Sequence, residues 1–184
     1  MLFLYIILAV VLLFIVVSVS LYNNLVKKRN LMQEGWSSID VFLKKRHDLI
    51  PNLVNIVKGY TAHEKTLLEE VTSLRTQAIQ SVNIDQKVGA ETDLSHALGK
   101  LFVSVENYPD LKASQNFRDL QGQLATVENE LEMSRRYYNG TVRENNIAIE
   151  TFPGNIVAGM FHFEKGLFFN IDNEQEKQNP IVSF

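Results

Sequence analysis

The chain has no cysteine among its 184 residues. That excludes a thiol nucleophile and a lipid-modified N-terminal cysteine, and it fits a reducing compartment. Proline occurs four times and glycine nine times, and no Pro/Gly/Ser linker is long enough to divide the chain. No low-complexity segment and no repeat at a fixed period are present. The net charge is only −3, with a sequence pI of about 5.8. Both signs are interspersed, and no basic patch interleaved with aromatics occurs, so nucleic acid is not an expected partner.

Catalytic signatures are missing too. There is no G-x-S-x-G element and no phosphate-cradling glycine-rich loop. The histidines are His47, His63, His96 and His162, and His63-Glu64 lacks the second histidine four residues on that a zinc-protease helix needs. His47-Asp48 and Glu69-Glu70 pair neighbours that point to different sides of a helix. No metal site, cofactor or catalytic residue is assigned. Asn139-Gly140-Thr141 matches a glycosylation sequon, which has no meaning on a cytoplasmic helix.

What the sequence does have is one long hydrophobic run. Met1 to Leu21 contains no charge, proline or glycine. As a helix rising about 1.5 Å per residue, it spans roughly 30 Å, the thickness of a hydrocarbon core. A cleaved signal would want a positive n-region, a shorter apolar core and a small-x-small site, so a retained anchor is expected. Lys27, Lys28 and Arg29 follow the run, which places that flank in the cytoplasm and the N-terminus outside. Three charges fall short of the four to eight of specific lipid-binding clusters and act as a topology determinant beside lipid headgroups.

The remaining residues, about 160, suit one domain with a single core. Periodicity predicts an all-α fold, with a first helix over 22–60, a second over 62–82, a third over 91–107 and a fourth over 114–151. In the first, Leu25, Met32, Ile39, Leu53 and Tyr60 share a seven-residue spacing. Phe42, Leu49 and Ile56 form a second row, and Trp36, Leu43, Ile50 and Val57 a third. Three adjacent rows make the wide stripe of a bundle helix. The membrane helix can run straight into it.

Pro51 predicts a kink or local break. Arg46 stands on the row of Ile39 and Leu53, where it must pair with a carboxylate, snorkel outward or serve a ligand. An ion pair with Glu106 or Glu128 is the expected solution. Thr61-Ala62-His63-Glu64 has the form of a capping box opening the second helix. Asn83 to Gly89 is read as the next turn, and Tyr108-Pro109 as the end of the third helix. The last helix is kept whole through Asn139-Gly140 and stops at Phe152-Pro153-Gly154.

Beyond residue 152 the composition changes. Phe161, Phe163, Phe168 and Phe169 crowd a short span, and Ile181, Val182 and Phe184 end the chain. Left exposed, they would form a sizeable apolar patch, so residues 152–184 pack on the bundle, a neighbouring subunit or the membrane. These seven residues are the candidate partner-binding surface of a homo-oligomer.

Several segments carry a resemblance: Tyr22-Asn23-Asn24-Leu25-Val26, the run from Arg46 to Val54, and Tyr60 to Glu64. Glu106-Asn107-Tyr108-Pro109-Asp110-Leu111 is similar to an E-x-YP-x-L element. Arg135 to Asn139, with Asn145-Asn146 and Phe152-Pro153, is similar to an R-x-x-YN…N…FP element. In order and spacing these resemble the LemA family over nearly the whole chain. The resemblance implies a bacterial, N-terminally anchored, up-and-down four-helix bundle with no established general activity. It also implies links to membrane remodelling in magnetosome formation and to membrane-protease genes.

Arg46, Asn52, Glu106, Glu128, Arg135, Tyr138, Asn139 and Asn146 lie in or beside these motifs. Helices one and four of an antiparallel bundle can bring several together, as a register lock or as a small-ligand pocket. The expected function is a non-catalytic scaffold at the cytoplasmic face, meeting lipid, copies of itself or other membrane proteins. The alternative is a sensor or enzyme using the polar cluster.

Overall fold

The computed structural model describes residues 1–61 and 64–169, and every regular element among them is a helix. The elements are α1 (Leu2–Tyr60), α2 (Lys65–Gln80), α3 (Ile84–Val105), α4 (Pro109–Ala113), α5 (Gln115–Glu150) and α6 (Gly154–Met160). The hydrophobic run and the first bundle helix are therefore one helix of 59 residues. Every residue from Met1 to Val17 is exposed, and among the described residues α1 alone is long and apolar enough to cross a membrane.

The chain divides into two compact units. Lys44–Glu128, together with Phe169, forms the first, to which the C-terminal part of α1, all of α2, α3 and α4, and the start of α5 belong. Two of the three rows predicted on α1 converge here: Ile50, Leu53 and Val57 meet Leu68 and Val71 of α2, Leu94, Leu98 and Leu101 of α3, and Phe117, Leu120 and Leu124 of α5. Fully burying one such side chain stabilises by about 1.5–3 kcal/mol, so this stripe holds the unit together. α2 and α3 run antiparallel, with Glu64 and Glu70 meeting Tyr108 and Lys100 in reverse order.

Four local expectations change. α3 begins at Ile84, not near Glu91, because Asn83 takes an extended N-cap conformation and the polar stretch behind it is the solvent face of the first turns. The turn is confined to Ser81–Asn83. Thr61 does not open α2: its hydroxyl donates to the carbonyl of Val57, 3.0 Å away, and Glu64 is the N-cap. Pro51 does not break α1. The carbonyl of His47, deprived of an N–H from Pro51, accepts instead from Nε of Arg75 on α2 at 2.7 Å. Finally, the stops at Tyr108-Pro109 and Phe152-Pro153 each start a short helix, α4 with proline at its first turn and α6 beyond a cis proline.

Met1–Leu43 and Asn129–Phe168 form the other unit. Here α1 and α5 lie antiparallel, with Lys28 on Glu144 at 3.1 Å and the rings of Trp36 and Tyr138 at 5.4 Å. A Cβ at Gly35 would stand 3.2 Å from Cα of Tyr138, so glycine permits this close approach. Leu25, Val157 and Ala158 form a small core with Leu21, Ala148, Ile149 and Phe163, which seats α6 on the α1–α5 pair.

Candidate functional site

The predicted misfit on the apolar row of α1 is the centre of a buried charge cluster. Arg46 is wholly buried, and its Nη2 forms an ion pair with Oε2 of Glu91, itself 1% exposed. Nη1 donates to Oε1 of Glu128 at 2.7 Å and to the hydroxyl of Ser95 at 3.0 Å. The neighbouring His47 reaches the other oxygen of the same carboxylate, with Nε2 2.8 Å from Oε1 of Glu91. A carboxylate oxygen only accepts, so Nε2 carries a proton.

Burial by itself pushes the Glu91 carboxyl up. The His47 hydrogen bond and the charge of Arg46 outweigh it, leaving the group below the usual carboxylate range. Glu91 was missed in the sequence, although a signal was there. With Leu94, Leu98, Leu101 and Val105 it continues the buried stripe of α3, as Arg46 continues that of α1. An acid on one apolar stripe is the natural complement of a base on another.

The other predicted residues go elsewhere. Glu128 joins Arg46 and remains partly exposed. Glu106 does not: it is exposed and pairs with Lys112 on α4, because α3 ends just before it. Asn52 is exposed. Arg135, Tyr138, Asn139 and Asn146 belong to the other unit. There the Tyr138 hydroxyl donates to the carbonyl of Leu167 at 2.8 Å, and burial raises its pKa. The Asn146 amide pairs with the backbone of Gly166 in both directions, at 3.0 and 2.8 Å. Tyr138 and Asn146 therefore strap residues 163–168 to the helix pair. Of the eight residues read as one constellation, Arg46 and Glu128 join the charge cluster and Tyr138 and Asn146 make the strap.

The predicted partner surface is thinned in the same way. Phe161 and Phe163 pack on the ring of Tyr22 at 4.7 and 5.8 Å, and Arg29 stands 5.2 Å over Phe163. Phe169 is buried, while Phe161 and Phe168 keep exposed faces. Ile181, Val182 and Phe184 lie outside the described residues, as does His63. Lys27 and Arg29 are exposed beside the apolar run, and Lys28 is half-buried against Glu144.

Open grooves mark the four-helix unit; Asn52, Asn55, Asn116, Asp119 and Gln123 line one of about 480 Å³ between α1 and α5, and two more lie apart from it. One, of about 350 Å³, has Glu128 and Ser95 at its edge and Leu98, Phe102 and Leu124 along it. The other, of about 640 Å³, runs between α1 and α2 over Val54 and Leu68, with Lys58 and Lys65 on its rim. Neither has more than one of the cluster's charges within reach. Among the described residues, no three metal-ligating side chains converge.

The comparisons with known proteins agree on one family. The LemA family model matches residues 35–184. The chain is 23% identical over 191 residues to magnetosome protein MamQ 2 of Paramagnetospirillum magneticum, covering 88% of this chain and 68% of that one. It is 22% identical over 188 residues to MamQ of Magnetospirillum gryphiswaldense, with the same coverage. It is 28% identical over 138 residues to protein LemA of Metamycoplasma hominis, covering 74% of this chain and 63% of the relative. With its all-α fold, its apolar helix and the family match over most of its length, the chain belongs to the LemA family.

Proposed function

We propose that this membrane-associated LemA-family protein is a non-catalytic scaffold. On this reading α1 anchors it through residues 1–21, with the N-terminus outside and the helical units in the cytoplasm, where they gather other membrane proteins or further copies of the chain. The observation that supports this most is the enclosure of the charge cluster. Nη1 and Nη2 of Arg46 and both carboxylate oxygens of Glu91 are engaged with each other, with His47, Ser95 and Glu128, and with the backbone, while Nε of Arg46 is buried without a hydrogen-bond partner. At the cluster itself a ligand would find one partly exposed carboxylate, Glu128, because Arg46 and Glu91 are buried. The basic flank at Lys27, Lys28 and Arg29 supports the orientation.

The scaffold reading is tested by photo-crosslinking from exposed positions of α2 and α5 in intact cells. Discrete adducts with membrane proteins are expected, lost when residues 1–21 are removed although the helical part still folds. A small metabolite that stabilises the purified full chain, but not its Glu128→Gln variant, would establish the sensor reading instead.

A further inference from the structure

The small helix α6 stands at a particular height on α1. Its buried residues Val157 and Ala158 pack with Leu21 and Leu25, and Phe161 behind it packs on Tyr22. Leu21 is the last residue of the uncharged run, so α6 sits within about one helical turn of where that run ends. Gly154, Val157 and Ala158 face inward. The outward face is apolar as well: Phe152 is 80% exposed, Ile156 53%, Met160 69% and Phe161 56%.

Four large apolar side chains in one short segment are not needed for the fold, since the inward face already seats it. Elsewhere on the chain such exposure would call for a protein partner. At this height a lipid surface is already present if α1 crosses the membrane. The charges nearby fit the same setting. Lys27 is exposed about one turn further along α1, and the Arg29 guanidinium lies over Phe163. The arrangement is that of an interfacial segment, with apolar groups toward the acyl chains and cations at headgroup level. Tyr22, half-apolar and half-polar, occupies the place of an interfacial aromatic belt.

The geometry points to α6 and its flanks as a second membrane contact: Phe152, Ile156, Met160 and Phe161 enter the headgroup–acyl boundary of the bilayer that α1 spans. The inference rests on the anchor reading above. It makes the unit a two-point attachment, because a single helix fixes depth while a side contact also limits tilt and rotation about the helix axis. Leu167 and Phe168 have no part in it, because the strap holding them lies at the level of Tyr138, well down α1 from Leu21.

The absence of cysteine makes the test direct, since any introduced thiol is a unique labelling site. The full chain, carrying an environment-sensitive fluorophore at Met160→Cys or Ile156→Cys, is reconstituted in phosphatidylcholine–phosphatidylglycerol vesicles. Val11→Cys serves as the mid-span reference and Gln77→Cys on α2 as the aqueous one, with melting curves confirming that each chain is folded. Labels at 160 and 156 should be blue-shifted and quenched several-fold more than the label at 77 by a nitroxide near the headgroup. The label at 11 should respond best to a nitroxide near the chain end. Quenching at 11 with iodide-accessible labels at 160 and 156 overturns the inference and leaves the anchor intact. Labels at 160 and 156 shielded from lipid and iodide alike also overturn it, because a second copy or another protein then covers α6. A label at 11 that no lipid nitroxide quenches removes the anchor and the inference together.

Discussion

Arg75 on α2 donates its Nε–H to the carbonyl of His47 on α1, the one acceptor that Pro51 strips of its helical partner. The bond explains how a 59-residue helix carries proline in its interior, where the lost donor and the ring clash together cost about 3 kcal/mol or more. It also ties α2 to α1 one residue from Arg46, so backbone repair and charge cluster share a wall. Replacing Arg75 by Ala should cost about 1–3 kcal/mol, the usual price of orphaning a buried acceptor. Restoring the missing N–H with Pro51→Ala should shrink that penalty. A double-mutant cycle from denaturant unfolding reads the coupling directly. Strict additivity would mean that the His47 carbonyl does not depend on Arg75.

Within the cluster, the loss of one partner should hurt more than the loss of charge altogether. Arg46→Ala leaves Glu91 buried and opposed only by His47, and should destabilise by about 3–5 kcal/mol. Arg46→Met with Glu91→Leu keeps the volume and removes both charges. That pair should recover much of the loss, because a buried ion pair adds little net stability over a well-packed apolar one. Thermal melts of the three chains decide it. An Arg46→Ala melt like that of the parent would show that the side chain escapes to solvent.

Acid should act through the same carboxylate. Glu91 has its folded pKa lowered beneath the ordinary value of 4.5, so the unfolded chain binds more protons in acid than the folded one. Its contribution is therefore complete above about 4.5 and fades as pH falls through the lowered folded value. Stability should drop steeply there, and Glu91→Gln should be less stable at neutral pH but flatter across the acid limb. Parallel acid limbs would assign the loss to other carboxylates.

What was legible in the sequence follows from what periodicity can carry. The rows through Leu53, Ile50 and Leu124 repeat over many turns, so helix type and inward face were readable. Arg46 stood out because a base interrupted such a row. Glu91 did not: with the start of α3 hidden by the polar stretch from Asn83, it stood as the first residue of the predicted helix, where an acid is ordinary. α4 and α6 span five and seven residues, too few for a period, and each follows a proline that reads as a stop. Which acid meets Arg46 depends on where α3 ends. With the end at Val105, Glu106 falls among the exposed residues beside Lys112.

Orientation is testable with the same cysteine-free background. A single cysteine at Gln77, exposed on α2, should resist an impermeant thiol reagent in intact cells and react once they are permeabilised. Labelling in intact cells would put the helical units outside and reverse the topology inferred from Lys27, Lys28 and Arg29.

The seat of α6 depends on one residue without a side chain. A Cβ at Gly154 would stand 2.5 Å from the carbonyl oxygen of Ala148. That oxygen belongs to the backbone of α5, so it cannot rotate away as a flexible side chain would. Gly154→Ala must therefore push α6 outward or distort the end of α5, at a cost typical of overpacking, about 1–3 kcal/mol. The damage should stay local, since the small core of Leu25, Val157 and Ala158 is separate from the larger one that holds the four-helix unit. Hydrogen exchange should accelerate over 154–160 while α2 and α3 keep their protection. Gly35→Ala makes a useful contrast: its nearest contact, Cα of Tyr138 at 3.2 Å, leaves room for a shift of a few tenths of an ångström, so its effect should be smaller and spread along α1 and α5. If Gly154→Ala left exchange over 154–160 unchanged, α6 would not be held against Ala148, and its height at the end of the apolar run would lose its physical basis.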